Sequence, residues 1–395
     1  MVYNLYMIVN DLDAYGGSTR LIETLTATGL KELYPPQIQA IKAGLLQRED
    51  SFVVAAPTAS GKTLIAEMAA LKAFLEMDGK VVYLVPLRAL AREKHDDLSK
   101  KYKDAGMRVV LSTGDYNSAD TWLHDADFII STNEKMDSLI RHRASWLKDV
   151  SLVVADEIHL LGDPGIGPTL EVVLTRLKWL NPGLRILALS ATIPNASEIA
   201  QWLGAQLIES SWRPVPLREG VYFYDAITFQ DGGVSKVKKE GHLDVVNLGL
   251  ETINDGGQSL VFVNTRKAAE TVAHTVSSDV VKLLSGQERE SLKGLSVQII
   301  EASSEPTHLC KKLAECVRNG VAFHHAGIIS SQRKIVEDAF RANKIKLVAA
   351  TTTLAMGLNL PSRRVIIRDW WRYESGLGMQ PIPVMEIKQM SGRAG

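Results

Sequence analysis

The chain has 395 residues, 46% of them apolar and 23% charged, which is the usage of an ordinary folded protein and excludes general disorder. Single cores stop growing at about 250–300 residues, so two domains are expected. Lys plus Arg equals Asp plus Glu at 45 each, which excludes a globally basic nucleic-acid binder and confines any polyanion site to a local patch.

The N-terminus, MVYNLYMIVNDLDAY, lacks a basic region and a cleavage site, and no stretch reaches the roughly 18 apolar residues of a membrane span. A cytoplasmic protein without membrane contact is expected. Short β-branched runs then alternate with amphipathic helical stretches, the α/β pattern of parallel sheets with helices on both faces. In the first half the runs are SFVVAA (51–56), KVVYLVP (80–86), RVVLST (108–113), DFIIST (127–132), SLVVAD (151–156) and RILALSAT (185–192). They read as buried strands.

The first run leads into Ala56-Pro57-Thr58-Ala59-Ser60-Gly61-Lys62-Thr63 and the periodic LIAEMAALKAFLEM, the strand-loop-helix context of a Walker A phosphate loop. Glycine lets backbone amides turn inward around phosphate, and the helix N-terminus adds positive potential. Lys62 is suited to the β/γ-phosphates and the Thr63 hydroxyl to Mg²⁺. Ala56 replaces the usual first glycine. SLVVAD ends in Asp156-Glu157-Ile158-His159, two carboxylates at the carboxyl edge of a strand. Such a pair alone is usually a solvated turn. Beside a phosphate loop, Asp156 reads as a magnesium ligand and Glu157 as the base that positions the attacking water.

After Trp212 the two prolines of RPVPLREG interrupt helix and central strand alike, so domains 1–212 and 213–395 are expected. Asp231 to Gly241 (DGGVSKVKKEG) reads as an exposed loop. A second α/β series follows in SLVFVN (259–264), VAFHHAG (321–327), KLVAATT (346–352) and RRVIIRDW (363–370), with helices such as SSQRKIVEDAFRANK between them. Cys310 and Cys316 fall at helical spacing without a zinc-type partner set and read as reduced helix residues. The aromatic segment 368–384, turning at glycines, reads as a protruding β-hairpin.

These residues resemble the DExH helicases of superfamily 2. DEIH is similar to their motif II, and Tyr34-Pro35-Pro36-Gln37 to the adenine-reading Q motif. Pro86 to Leu90 resembles motif Ia, Ser131 to Glu134 motif Ib and Ser190-Ala191-Thr192 motif III. Val261 to Arg266 resembles motif IV, Phe323 to Gly327 motif IVa, Thr351 to Pro361 motif V and Gln389 to Gly395 the beginning of motif VI. The motifs cover nearly the whole chain in the expected order. Within the Ski-like branch, STGDY, SSWRPVPLREG, KKLAECVRNG and GLNLPSRRVI are similar to the archaeal Hjm/HelQ group of DNA-repair helicases.

The resemblance implies two tandem RecA-like parallel-sheet domains with an ATP cleft between them, and ATP and Mg²⁺ as cofactors. It implies an ATP-dependent 3′–5′ DNA helicase or translocase motor serving DNA repair or replication-fork processing. Nucleotide would be held by Gln37 and the loop Ala56 to Thr63, and hydrolysis would draw on Lys62, Asp156, Glu157, Gln389 and Arg393. Arg393 resembles an arginine finger, and His159 would meet Gln389. Arg88, Thr132, Thr265, Arg266 and Thr352 would contact the nucleic-acid backbone, and Trp370 and Trp371 would stack on the hairpin that splits the duplex. Read singly, each of these is equally a capping threonine or a surface arginine, and the hairpin could equally pack on a further domain. Single-stranded and forked DNA are the expected partners, replication or recombination proteins are candidate ones, and a monomer is expected. The rival readings are a Ski-type RNA helicase and a nucleotide- or DNA-binding module with little turnover. The family pattern GRAGR extends one residue past Gly395, so a fragment ending inside motif VI is expected.

Overall fold

The computed structural model describes residues 6–114, 120–241, 243–352, 360–374 and 376–395. The chain divides into two compact units, Met1–Pro214 and Val215–Gly395.

The first unit is built on β1 (Phe52–Ala55), β2 (Lys80–Val85), β3 (Val109–Ser112), β4 (Phe128–Thr132), β5 (Val150–Ala155), β6 (Arg185–Ser190) and β7 (Gln206–Glu209). They form one parallel sheet in the order β3-β4-β2-β5-β6-β1-β7. β1, β2, β4 and β6 are buried along their whole length, which explains their continuous apolar runs: with helices on both faces, neither face can be polar. The helix Lys62–Met77 buries Ile65, Met68, Ala69 and Leu71, spaced at three and four residues, in the same core as Val54 and Tyr83. Each of its larger side chains contributes about 1.5–3 kcal/mol on burial. The register pairs Ala55 with Ser190 and Ala155 with Ala188, so β1, β5 and β6 release their loops at one carboxyl edge. Ligands of open α/β sheets bind at such edges. At the opposite end Arg185 donates to the carbonyls of Leu45 (2.7 Å) and Asp50 (2.8 Å), tying the foot of β6 to the segment before β1. Burial lowers its pKa to about 10, which leaves it charged at neutral pH.

The second unit contains a parallel sheet of β11 (Ser259–Val263), β12 (Val321–His324), β13 (Leu347–Thr351) and β14 (Arg364–Ile367), in the order β12-β13-β11-β14. Before it, β8 (Gly220–Phe223), β9 (Ala226–Phe229) and β10 (Val234–Lys236) form a three-stranded antiparallel sheet. Asp231 to Gly241 is therefore not simply a loop. It is largely exposed, but it supplies β10 and buries Val237. After the parallel sheet, β15 (Trp371–Glu374) and β16 (Gly378–Pro381) pair antiparallel. Cys310 and Cys316 are free and buried on the helix His308–Arg318, where burial pushes the Cys316 thiol up to about 12 and leaves it unreactive. Among the described residues no helix is long and apolar enough to cross a membrane.

Candidate nucleotide and nucleic-acid sites

From Ala55 the backbone turns through left-handed conformations at Ala59 (φ 65°) and Gly61 (φ 84°) before the helix opens at Lys62. Gly61 is required twice over. Its φ suits glycine, and a Cβ there would fall 2.2 Å from Gln37 Nε2 and 3.2 Å from the Tyr34 ring. Gln37 Nε2 donates to the Gly61 carbonyl (3.0 Å) while its Oε1 accepts from the Tyr34 amide (2.7 Å), so the YPPQ segment is stapled to the loop. The Tyr34 ring in turn lies 4.7 Å from that of Trp212. Lys62 Nζ folds over its own loop and donates to the carbonyls of Ala56 (2.7 Å) and Pro57 (2.8 Å). The Ser60 hydroxyl is buried with no hydrogen-bond partner.

At the same edge Asp156 Oδ2 accepts from the Tyr83 hydroxyl (2.8 Å), and Oδ1 accepts from the Glu157 amide (3.0 Å). Burial, then the charge of Asp156, pushes the Tyr83 phenol well above its usual range, so it remains a donor at any working pH. Glu157 is itself left-handed (φ 55°), which turns the chain into the short helix Ile158–Gly162. His159 Nδ1 accepts from the Ala191 amide (3.3 Å) and lies 3.5 Å from Glu157 Oε2. An accepting Nδ1 requires the neutral ring, and burial lowers the His159 pKa in agreement, against the opposing pull of Glu157. Lys94 Nζ donates to Thr63 Oγ1 (3.0 Å) and lies 5.8 Å from the Tyr83 ring centroid. No motif marked Tyr83 or Lys94: the first sits in a strand and reads as core, and the second lies in a charged helical run.

These groups fit a phosphate chain with a hard cation. The unpartnered Ser60 hydroxyl and the left-handed Gly61 suit phosphate oxygens, and the Thr63 hydroxyl and Asp156 carboxylate are oxygen donors of the kind Mg²⁺ takes. Among the described residues no group of three or more His, Cys, Asp or Glu could hold a metal. Mg²⁺ at a nucleotide site needs only one or two protein ligands, because phosphates and waters supply the rest.

The remaining predicted residues are distributed as follows. Arg88 is exposed at the head of the helix Arg88–Lys101, just beyond β2. Thr132, at the end of β4, is 1% exposed, and its hydroxyl caps the helix Asn133–Arg141 by accepting from the Lys135 amide (3.4 Å). It is not displayed at the surface as Arg88 is. In the second unit Thr265 caps the helix Arg266–Leu283, and it and Arg266 are exposed. Thr352 follows β13, partly buried. Residues 353–359, most of motif V, lie outside the described residues, as do Asp115 and Tyr116 of STGDY and Ser375 of the hairpin. Gln389 lies on the helix Val384–Ser391, and the Arg393 carbonyl accepts from the Ser362 amide (2.9 Å).

The hairpin has two unlike faces. Trp371 pairs with Pro381 and Tyr373 with Met379, which puts these four on one face and Arg372 on the other. Arg372 Nη1 lies 2.7 Å from each carboxylate oxygen of Glu386 and fixes its face to the following helix. The opposite face is open, with Tyr373 73% exposed. Trp370 is also exposed, its ring 5.1 Å from that of Trp371. Asn264 of the motif IV segment holds the hairpin's base, donating through Nδ2 to the Trp371 carbonyl (3.1 Å) and through its amide to Asp369 (3.1 Å).

A family model for the DEAD/DEAH box helicase matches residues 34–199, and one for the helicase conserved C-terminal domain matches residues 296–395. Curated relatives include proteins named ATP-dependent DNA helicase Hel308. That of Methanocella arvoryzae is 51% identical over 94% of this chain and 50% of its own length. That of Pyrobaculum calidifontis is 46% identical over 95% and 52%, and that of Pyrococcus horikoshii 46% over 95% and 50%. The chain thus spans about half the length of the curated relatives it matches. Two RecA-like parallel-sheet units, a phosphate loop facing a DEIH edge, and this level of identity converge on one assignment: the chain belongs to the superfamily 2 DExH helicases, in the archaeal Hjm/Hel308 group.

Proposed function

We propose that the chain is the ATP-driven motor of a DNA helicase that moves 3′ to 5′ on single-stranded and forked DNA, in DNA repair or replication-fork processing. The observation that carries this reading is the edge where Lys62 and Thr63 head a helix beside Asp156 and Glu157. Lys62 would exchange the carbonyls of Ala56 and Pro57 for the β/γ-phosphates, and Gln37, already stapled to Gly61, would read the adenine. Thr63 and Asp156 would hold Mg²⁺, which neutralises phosphate charge when bound. Glu157 would position the attacking water and take its proton, with neutral His159 at its flank. Arg393, the finger, would stabilise the separating phosphoryl group, with Gln389 in support. Such an arginine contributes about 10³–10⁵ in rate.

Arg88, Thr265, Arg266 and Thr352 would grip the sugar-phosphate backbone without reading bases, while Thr132 acts through the helix terminus it caps. Trp370, Trp371 and the open face of the hairpin would stack against the last base pair. The relatives' printed name supports DNA over RNA. The same reading makes the motor a cytoplasmic monomer that meets replication or recombination proteins through its DNA substrate. The test is binding of a fluorescent ATP analogue, and hydrolysis with single-stranded DNA, with RNA and with neither, for the chain and its Lys62→Ala variant. Nucleotide binding and DNA-stimulated turnover that Lys62→Ala abolishes are expected. Retained turnover in Lys62→Ala would sink the phosphate-loop assignment, and stimulation by RNA equal to that by DNA would favour the Ski-type RNA reading.

A further inference from the structure

Lys94 stands at the nucleotide edge but has no part in the hydrolysis described above. It lies on the helix Arg88–Lys101, six residues after Arg88, so the two ride on one element about 9 Å apart along its axis. Its ammonium donates to Thr63 Oγ1 at 3.0 Å. It also lies over the ring of Tyr83, whose hydroxyl holds Asp156 at 2.8 Å. Thr63 and Asp156 are the two candidate magnesium ligands. A single lysine therefore touches one of them directly and the support of the other.

We propose that Lys94 is a positioning residue that couples the metal and nucleotide state of the phosphate loop to the helix headed by Arg88. The inference rests on the phosphate-loop reading. A hydroxyl lone pair that accepts from an ammonium is not free for a divalent cation, and two cations on one oxygen repel each other strongly at protein dielectric. Lys94 therefore has a favourable position on Thr63 only while no metal is held there. Loading the site displaces it from Thr63, and the Tyr83 ring, 5.8 Å away already, remains a cation-π surface for it. Displacement removes the tie between the helix and the phosphate loop at the end nearer Arg88, while Lys101 keeps its 2.5 Å bond to Glu67 at the far end, so the Arg88 end is the part released. A ligand shifts an equilibrium only through differential interaction with the two states, and this contact supplies it: attractive in one, repulsive in the other. Coupling is reciprocal, so nucleic acid that draws the helix away from Thr63 favours the metal-loaded loop.

The experiment measures affinity for a fluorescent single-stranded oligodeoxynucleotide with and without Mg²⁺ and a non-hydrolysable ATP analogue. It compares the chain with Lys94→Met and Lys94→Arg, alongside hydrogen exchange across residues 88–101. In the unmodified chain, nucleotide should tighten DNA binding about 5-fold or more, within the usual range of site-to-site coupling, and should alter exchange in the helix. In Lys94→Met the response should fall below about 2-fold and the exchange change should vanish, while nucleotide binds at least as tightly as before. Lys94→Arg, which keeps the charge, should retain part of the response. Far-UV circular dichroism checks that the partly exposed position tolerates Met. A Lys94→Met response equal to the unmodified one overturns the coupling, as does an unmodified chain that binds nucleotide but shows no effect on DNA. Absence of nucleotide binding in the unmodified chain overturns the phosphate-loop reading itself, and this inference with it.

Discussion

Replacing Tyr83 with Phe deletes one oxygen from a fully buried ring and leaves the packing around it unchanged, so it isolates the hydrogen bond to Asp156. Tyr83 sits on β2 opposite Val154 of β5, two residues before Asp156, and the 2.8 Å bond spans adjacent parallel strands. Asp156 keeps the Glu157 amide on its other oxygen but loses its side-chain donor. A hydrogen bond to a charged group is worth about 1.5–3 kcal/mol, so the first unit should lose that much stability. With a urea slope of about 2–3 kcal/mol/M, its unfolding midpoint should drop by about 1 M. Groups that orient a metal ligand typically matter about 10–100-fold in metal affinity, so the Mg²⁺ concentration needed for half-maximal nucleotide binding should rise about 10-fold. The assays are urea unfolding by circular dichroism and Mg²⁺ titration of fluorescent nucleotide binding. An unchanged midpoint together with an unchanged Mg²⁺ requirement would refute the claim that Tyr83 positions the carboxylate.

Glu157→Gln keeps the left-handed turn's side-chain shape and leaves Asp156 in place, so nucleotide affinity should persist while turnover falls about 10²–10⁴-fold; turnover at the unmodified rate in a phosphate-release assay would remove Glu157 from the role of base. Exchanging Trp370 and Trp371 for Ala removes exposed rings and not core, so thermal stability and DNA-stimulated hydrolysis should hold while strand separation of a forked duplex drops about 10-fold or more, since stacking is worth about 1–3 kcal/mol per base. Parallel losses of stability and both activities would assign the pair to packing instead.

The parts of this protein that were legible in the sequence are those in which neighbours along the chain are also neighbours in space. The phosphate loop is one continuous strand, turn and helix, and its glycine is demanded locally by φ and by the close approach of Gln37. DEIH likewise carries its geometry within four residues. The buried strands were visible because coverage on both faces leaves no polar face to interrupt them. The antiparallel sheet β8–β10 was not. Its first hairpin turns at Tyr224 (φ 44°) and Asp225 (φ 59°), two non-glycine residues in the left-handed region, where Asn-Gly is the readable signal. Thr132 was legible both as a motif position and as a candidate cap, and the sequence could not choose between them, because a helix N-cap and a phosphate contact call for the same short hydroxyl.

The groups that escaped sequence reading share a cause. Tyr83 is 73 residues from Asp156 and Lys94 is 31 from Thr63. In a parallel sheet adjacent strands are separated in the chain by at least one crossover, and β2 and β5 by two further strands, so residues that support a loop from the next strand must lie far away in the chain, at distances no spacing rule fixes. A motif therefore names the groups that face the ligand and is silent about those behind them. The supporting tyrosine looks like core because it is core, and the lysine looks like a solvated helix charge because most of its neighbours are. If these two residues orient and report on the candidate metal ligands, the proposed nucleotide edge is wider than its motifs by one strand and one helix, and that helix carries Arg88. Nucleotide and nucleic acid would then communicate inside the first unit before any second unit takes part, and the Lys94 variants measure that contribution directly.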